Sequence, residues 1–174
     1  MDFGTLGARA AAALRTTANS IEAHAYAGSS SWVVEFNALA TDNPPISSKL
    51  RELFGSGPAI YMLQTVQVDC SALLRAFEAQ RLANFRYARL NPHHSETCVY
   101  VGSSASVAGR LKEQLTRGPA GRYALHLNTW AGSLHGALRV TVMPCRELAP
   151  DLMGILEDHL WDELKPIFGR RGRR

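Results

Sequence analysis

Two short tracts carry side chains able to do chemistry: Pro58-Ala59-Ile60-Tyr61-Met62 and Cys98-Val99-Tyr100-Val101-Gly102-Ser103-Ser104. Each is a β-type run that sets a tyrosine hydroxyl at a strand position, and the second ends in a Gly-Ser-Ser loop ahead of a helix bearing Arg110. One later glutamate, Glu157, stands within Leu156-Glu157-Asp158-His159-Leu160. Two phenols, a guanidinium and a carboxylate form a set that can cut a phosphodiester, because phosphate is gripped by arginine and hard cations are held by carboxylate oxygen.

The elements that must position these groups follow from local pattern. Leu6, Ala10, Ala13, Leu14, Ala18 and Ile21 recur at helical spacing and predict a helix over about 6–25. Gly28 to Ser31 breaks it, and Trp32 to Asn37 reads equally as a strand or the start of a short helix. Asn43-Pro44-Pro45-Ile46-Ser47 reads as a loop whose serine caps a helix over 48–54. Strands are expected at 59–66, 97–101 and 137–143, and helices at 70–90, 107–115 and 123–130. In the helix at 70–90, Leu73, Leu74, Phe77, Leu82, Phe85 and Leu90 form the apolar face, and Arg75, Arg81, Arg86 and Arg89 decorate the other side. A last helix opens at Pro150-Asp151, with its acid at the N-terminal end of the dipole, and closes before Pro166.

With 174 residues and 46% hydrophobic content, the chain is long and apolar enough to fold around its own core. Its three cysteines, Cys70, Cys98 and Cys145, are far apart and lack C-x-x-C spacing, so reduced, partly buried thiols are expected. No apolar run approaches bilayer length and no leader-like pattern opens the sequence, which makes a cytoplasmic protein the expectation. The net charge of +4 is uneven: Arg170, Arg171, Arg173 and Arg174 crowd the end. That points to a polyanionic partner, with a solvated terminus as the plain alternative.

In order along the chain, Ala59-Ile60-Tyr61, Tyr100-Val101-Gly102, Arg110 and Glu157 resemble the GIY-YIG nuclease family over about 57–171. The resemblance implies an α+β fold, a small three-stranded antiparallel sheet flanked by helices. Residues 1–56 would then be an N-terminal helical extension, and 57–174 a nuclease domain with a helical insert at about 68–95. It also implies a magnesium-dependent DNA endonuclease acting on double-stranded DNA, of restriction or defence type, with a homodimer if both strands are cut.

In that reading Glu157 holds the metal, Arg110 holds the scissile phosphate, and Tyr61 and Tyr100 position or deprotonate water. The sequence departs from the family at Ala59 and Val101, mildly, and at Gln114 and Gly169, where many members carry histidine and asparagine. Glutamine orients by hydrogen bonds but takes up no proton, so a tyrosine would serve as base, with His93 and His94 as substitutes or simply a turn pair. DNA contacts are expected from Ser103, Ser104, Arg75, Arg86, Lys165, Arg170, Arg171 and Arg173. The competing expectation is a nucleic-acid-binding protein on a nuclease scaffold that has lost its chemistry.

Overall fold

The computed structural model describes residues 3–25, 28–40 and 44–172. Helix α1 (Phe3–Ala25) leads through β1 (Ser30–Glu35), α2 (Phe36–Leu39) and α3 (Pro44–Phe54) to β2 (Ala59–Val66). After it come α4 (Cys70–Gln80), β3 (Cys98–Ser104), α5 (Val107–Leu115), a short 3-10 turn at Leu127–Thr129, β4 (Ala137–Pro144) and α6 (Pro150–Leu164). The expected α+β class holds, but the sheet is four-stranded and antiparallel throughout, in the order β1-β4-β2-β3.

The three-stranded expectation therefore fails, and β1 is the reason. Ser30 to Glu35 pairs with β4 in register from Ser30↔Val142 to Glu35↔Ala137. Only Val34 in this strand is buried and Trp32 is half-buried, the pattern of an edge strand with one face on the core. The N-terminal region is not purely helical either, and Phe36, Leu39, Ile46, Leu50 and Phe54 share one core with Tyr61, Val99 and Leu111. Chain before residue 57 thus completes both the sheet and its packing.

Three other elements differ from expectation. Helix α3 starts at Pro44, where proline's fixed φ suits a helix's first turn, so Ser47 lies inside it instead of capping it. Helix α4 is capped by Asp69, whose carboxylate accepts from Ala72 N at 2.8 Å, and it stops at Gln80 instead of reaching Leu90. The backbone beyond it is claimed elsewhere: Arg86 N donates to Ala120 O, Ala88 N to Ala124 O and Asn91 N to Ile167 O. Leu82 and Leu90, counted as an apolar helix face, are exposed. The helix expected at 123–130 shrinks to the 3-10 turn because His126 takes a left-handed conformation (φ 48°), which ends any regular helix there.

The sheet is covered on both faces. Helices α3, α4 and α5 close over Tyr61, Leu63, Leu138, Val140 and Val142, while α6 covers Ile60 and Cys145 on the other side. Residues 166–169 run beside β3, with Ile167 N donating to Cys98 O and Phe168 N to Val99 O. On their other flank Asn91 N reaches Ile167 O, Asn91 Nδ2 reaches Pro166 O, and Gly169 N reaches Arg89 O. Among the described residues, no helix is long and apolar enough to cross a membrane.

Candidate active site

The β2–β3 ladder sets Tyr61 opposite Gly102 and Leu63 opposite Tyr100. Tyr100 and Gly102 are two apart and so face the same way as Tyr61. With no side chain at Gly102, the Tyr61 ring extends across it toward Tyr100, and the two rings stack 6.0 Å apart at 13°. A Cβ on Gly102 would come within 2.7 Å of Tyr100 Cε1 and 2.8 Å of Tyr61 Oη, so glycine is required for the pair. Gly169, at φ 114°, closes on Tyr100 from elsewhere: a Cβ there would stand 3.1 Å from Tyr100 Cε2.

Helix α5 supplies Arg110 and Gln114, one turn apart and hence on one face. Gln114 is completely buried. Its Oε1 accepts from Leu125 N at 2.7 Å, which only a carbonyl oxygen can do, so its Nε2 is the group that donates to Tyr61 Oη at 3.2 Å. Gln114 is thus a bolt that fixes the Tyr61 hydroxyl and, as an amide, takes up no proton.

Tyr61 is 1% exposed, and burial, reinforced by Tyr100, pushes its phenol well above the usual tyrosine range; Arg110 and Gln114 offset only part of this. It therefore stays protonated at neutral pH, which disfavours the expected role of base. Burial opposes the charge of Arg110, but its neighbours outweigh that and keep the guanidinium protonated, with Glu113 the ionised partner that it bonds directly. Arg110 Nη1 bonds Glu113 Oε2 at 2.7 Å and Nη2 donates to Tyr123 O at 2.8 Å. This leaves the fork aimed and braced.

Glu157 arrives on α6 from the opposite face of the sheet. From that side its carboxylate still lies within electrostatic reach of Arg110. Ser103 Oγ donates to Glu157 Oε2 at 2.5 Å. Burial raises the carboxyl above its usual range, Asp158 adds to that, and Ser103 and Arg110 pull it back. A desolvated carboxylate of this kind favours a nearby cation. Among the described residues there is no group of three or more His, Cys, Asp and Glu side chains able to hold a metal ion. A magnesium ion here would therefore rest on Glu157, water and substrate phosphate, a donor set that magnesium accepts.

Beside the tyrosines opens a cleft of about 370 Å³, walled by Tyr100, Tyr123 and the arginines Arg89, Arg110, Arg170 and Arg171. Its far wall is the segment 169–172, clipped to α6 where Gly172 N donates to Asp158 Oδ1 at 2.8 Å and Arg171 Nη2 pairs with Asp162 at 2.6 Å. Arg110, Arg170 and Arg171 thus come together as the sequence suggested. The sequence does not single out Arg89, Tyr123 or the clip residue Asp158: Arg89 reads as a helix decoration, and Tyr123 and Asp158 have no local signal.

The other expected contacts scatter. Arg86 is at the rim, its guanidinium 5.7 Å from the Tyr123 ring centroid. Arg75 is exposed on α4 and lines a separate hollow with Thr65, Asp69 and Glu96. Lys165 sits in a left-handed turn with Nζ 5.9 Å from the Trp161 ring centroid and does not line the cleft. Ser104 Oγ accepts from Ser106 N at 3.1 Å, a local turn bond, and Ser103 serves Glu157. Arg173 lies outside the described residues. His94 approaches Cys70 Sγ at 3.7 Å, and His126 is buried against Phe85 and Tyr87, so neither reaches the cleft.

Compared with models of protein families, with curated proteins and with solved structures, the chain matches none. Fold and site together define an α+β protein with an arginine-walled cleft that Tyr100 lines and against whose ring the buried Tyr61 stacks.

Proposed function

We propose that this protein is a metal-dependent DNA endonuclease of GIY-YIG type, hydrolysing phosphodiester bonds in the cleft. The carrying observation is that Tyr61, Tyr100 and Arg110, from three different elements, form one bonded cluster at a cleft with three further arginines, within electrostatic reach of Glu157. Arg89, Arg170 and Arg171 draw the backbone in and release counterions. Arg110 holds the scissile phosphate and stabilises the charge that grows on its oxygens, a role for which its braced fork needs no reorganisation. Tyr61, buried and pinned by Gln114, touches no substrate itself and instead holds Tyr100 and Arg110 in place at the cleft wall. A magnesium ion bound at Glu157 would supply Lewis acidity and an acidified water.

Cutting both strands of a two-fold site, as a restriction or defence enzyme does, takes two such clefts, so the active form in this reading is a homodimer. The three free cysteines suit a reducing compartment such as the cytoplasm. The test is supercoiled plasmid incubated with magnesium: wild type nicks or linearises it, and Arg110→Ala and Glu157→Ala do not. Plasmid left intact by wild type across varied sequences would defeat the proposal.

The second reading, binding without cutting, is favoured by one observation: Gln114 is bonded at both ends and supplies no proton acceptor. It predicts salt-dependent binding with no magnesium-dependent nicking. Nicking that Arg110→Ala abolishes rules it out.

A further inference from the structure

One cleft side chain is left idle by phosphate binding. Tyr123 is 61% exposed, yet it lines the cleft beside Tyr100 and Arg110. A lone exposed aromatic is ordinary on a protein surface, but this one has a fixed relation to the reacting centre. Its own carbonyl accepts from Arg110 Nη2 at 2.8 Å. The next residue, Ala124, is tied by backbone bonds to Arg86 (3.3 Å) and Ala88 (2.9 Å). The ring therefore stands one side-chain length from the guanidinium that grips phosphate, with Arg86 beside it. At 61% exposure it cannot be covered on both faces.

We infer that Tyr123 is a stacking platform for the base of the nucleotide whose phosphate Arg110 holds, so the cleft takes that nucleotide unpaired, most readily from a single strand and otherwise splayed out of the duplex that is cut. This deepens the phosphodiester-cutting reading of the same cleft and rests on it. Within a duplex both faces of a base are covered by its neighbours, and a π-face is offered only where the strand is single or unstacked. In a nucleotide the phosphate and base are separated by one sugar, which is the relation between Arg110 and the Tyr123 ring. Preference then follows without any base-edge hydrogen bond, because every base has a π-face.

The experiment is fluorescence anisotropy in a metal chelator, so that nothing is cut, with a short single-stranded oligonucleotide and the same sequence as a closed hairpin duplex. Wild type should bind the single strand more tightly. Tyr123→Ala should weaken that binding about 5- to 150-fold, the equivalent of one lost base stack, while duplex binding stays level. Tyr123→Trp should keep single-strand affinity, and 2-aminopurine quenching seen with wild type should vanish in Tyr123→Ala. If Tyr123→Ala binds the single strand as wild type does, or loses both ligands equally, the platform is wrong while the cleft reading stands. If wild type binds neither oligonucleotide, the cleft reading falls and the platform with it.

Discussion

Gly102 lies directly across the β2–β3 ladder from Tyr61, and the volume a side chain would fill there holds the Tyr61 hydroxyl. Glycine at this position is a packing requirement of the tyrosine stack. Gly102→Ala should therefore misplace both rings and lower nicking by about 100-fold, the scale of a small displacement at a reacting centre. Overpacking should cost about 1–3 kcal/mol in urea unfolding. A variant with wild-type nicking would show that the stack is not needed for the chemistry.

Gln114→Leu removes both ends of a buried bridge and leaves Tyr61 Oη and Leu125 N without their partner. The expected loss of stability is about 1–3 kcal/mol, and nicking should fall because the hydroxyl is no longer pinned. Gln114→His, by contrast, should not raise nicking above wild type unless Leu125 N finds a new acceptor. Denaturation midpoints and nicking rates for both variants check this.

Arg110→Lys keeps the charge but loses the fork that bonds Glu113 and Tyr123 O together. Nicking should drop by about 10²–10³-fold, as when a transition-state donor is removed, with binding weakened far less. Single-turnover rates beside anisotropy titrations separate the two effects.

Salt dependence should distinguish two neighbouring arginines. Both line the cleft, but the guanidinium of Arg171 is already engaged by Asp162 at 2.6 Å. Arg170→Gln should lower the slope of log K against log salt by about 0.9, and Arg171→Gln by distinctly less. Equal changes would mean that the Asp162 pair opens when DNA binds.

Thiol chemistry should rank the cysteines. Burial pushes the Cys98 thiol up to about 12, and burial also raises Cys145 and Cys70, so thiolate is scarce at pH 8 in all three. Cys98 and Cys145 are buried and Cys70 is half-buried at the head of α4. Disulfide reagents should thus modify Cys70 first and slowly, with the other two reacting only on unfolding. Mass spectrometry of labelled peptides reads the order.

The elements that carried a local signal were legible in the sequence. Strands β2, β3 and β4 alternate or run apolar between turn residues, α5 spans the expected 107–115, and α6 opens at Pro150. Strand β1 was not distinguishable from a short helix because only one face of it is buried and Phe36 continues into α2. The tyrosines, Arg110 and Glu157 could be picked out by order along the chain. The cleft could not, because Arg89, Tyr123 and residues 169–172 meet through isolated backbone bonds that leave no periodicity. Leucines at 82 and 90 mimicked a helix face and drew Arg86 and Arg89 onto a helix that ends at Gln80.

The edge position of β1 also orders events in time. Ser30 finds its partner in Val142, so the first strand made must wait, unpaired, for the last one to leave the ribosome. Helices α1 and α3 can form early from neighbouring residues, but the sheet closes only by joining distant parts of the chain, and such joining is slow. During that interval Trp32, Val33 and Val34 are an exposed β-forming run, the feature through which an unfinished molecule would most readily pair with another.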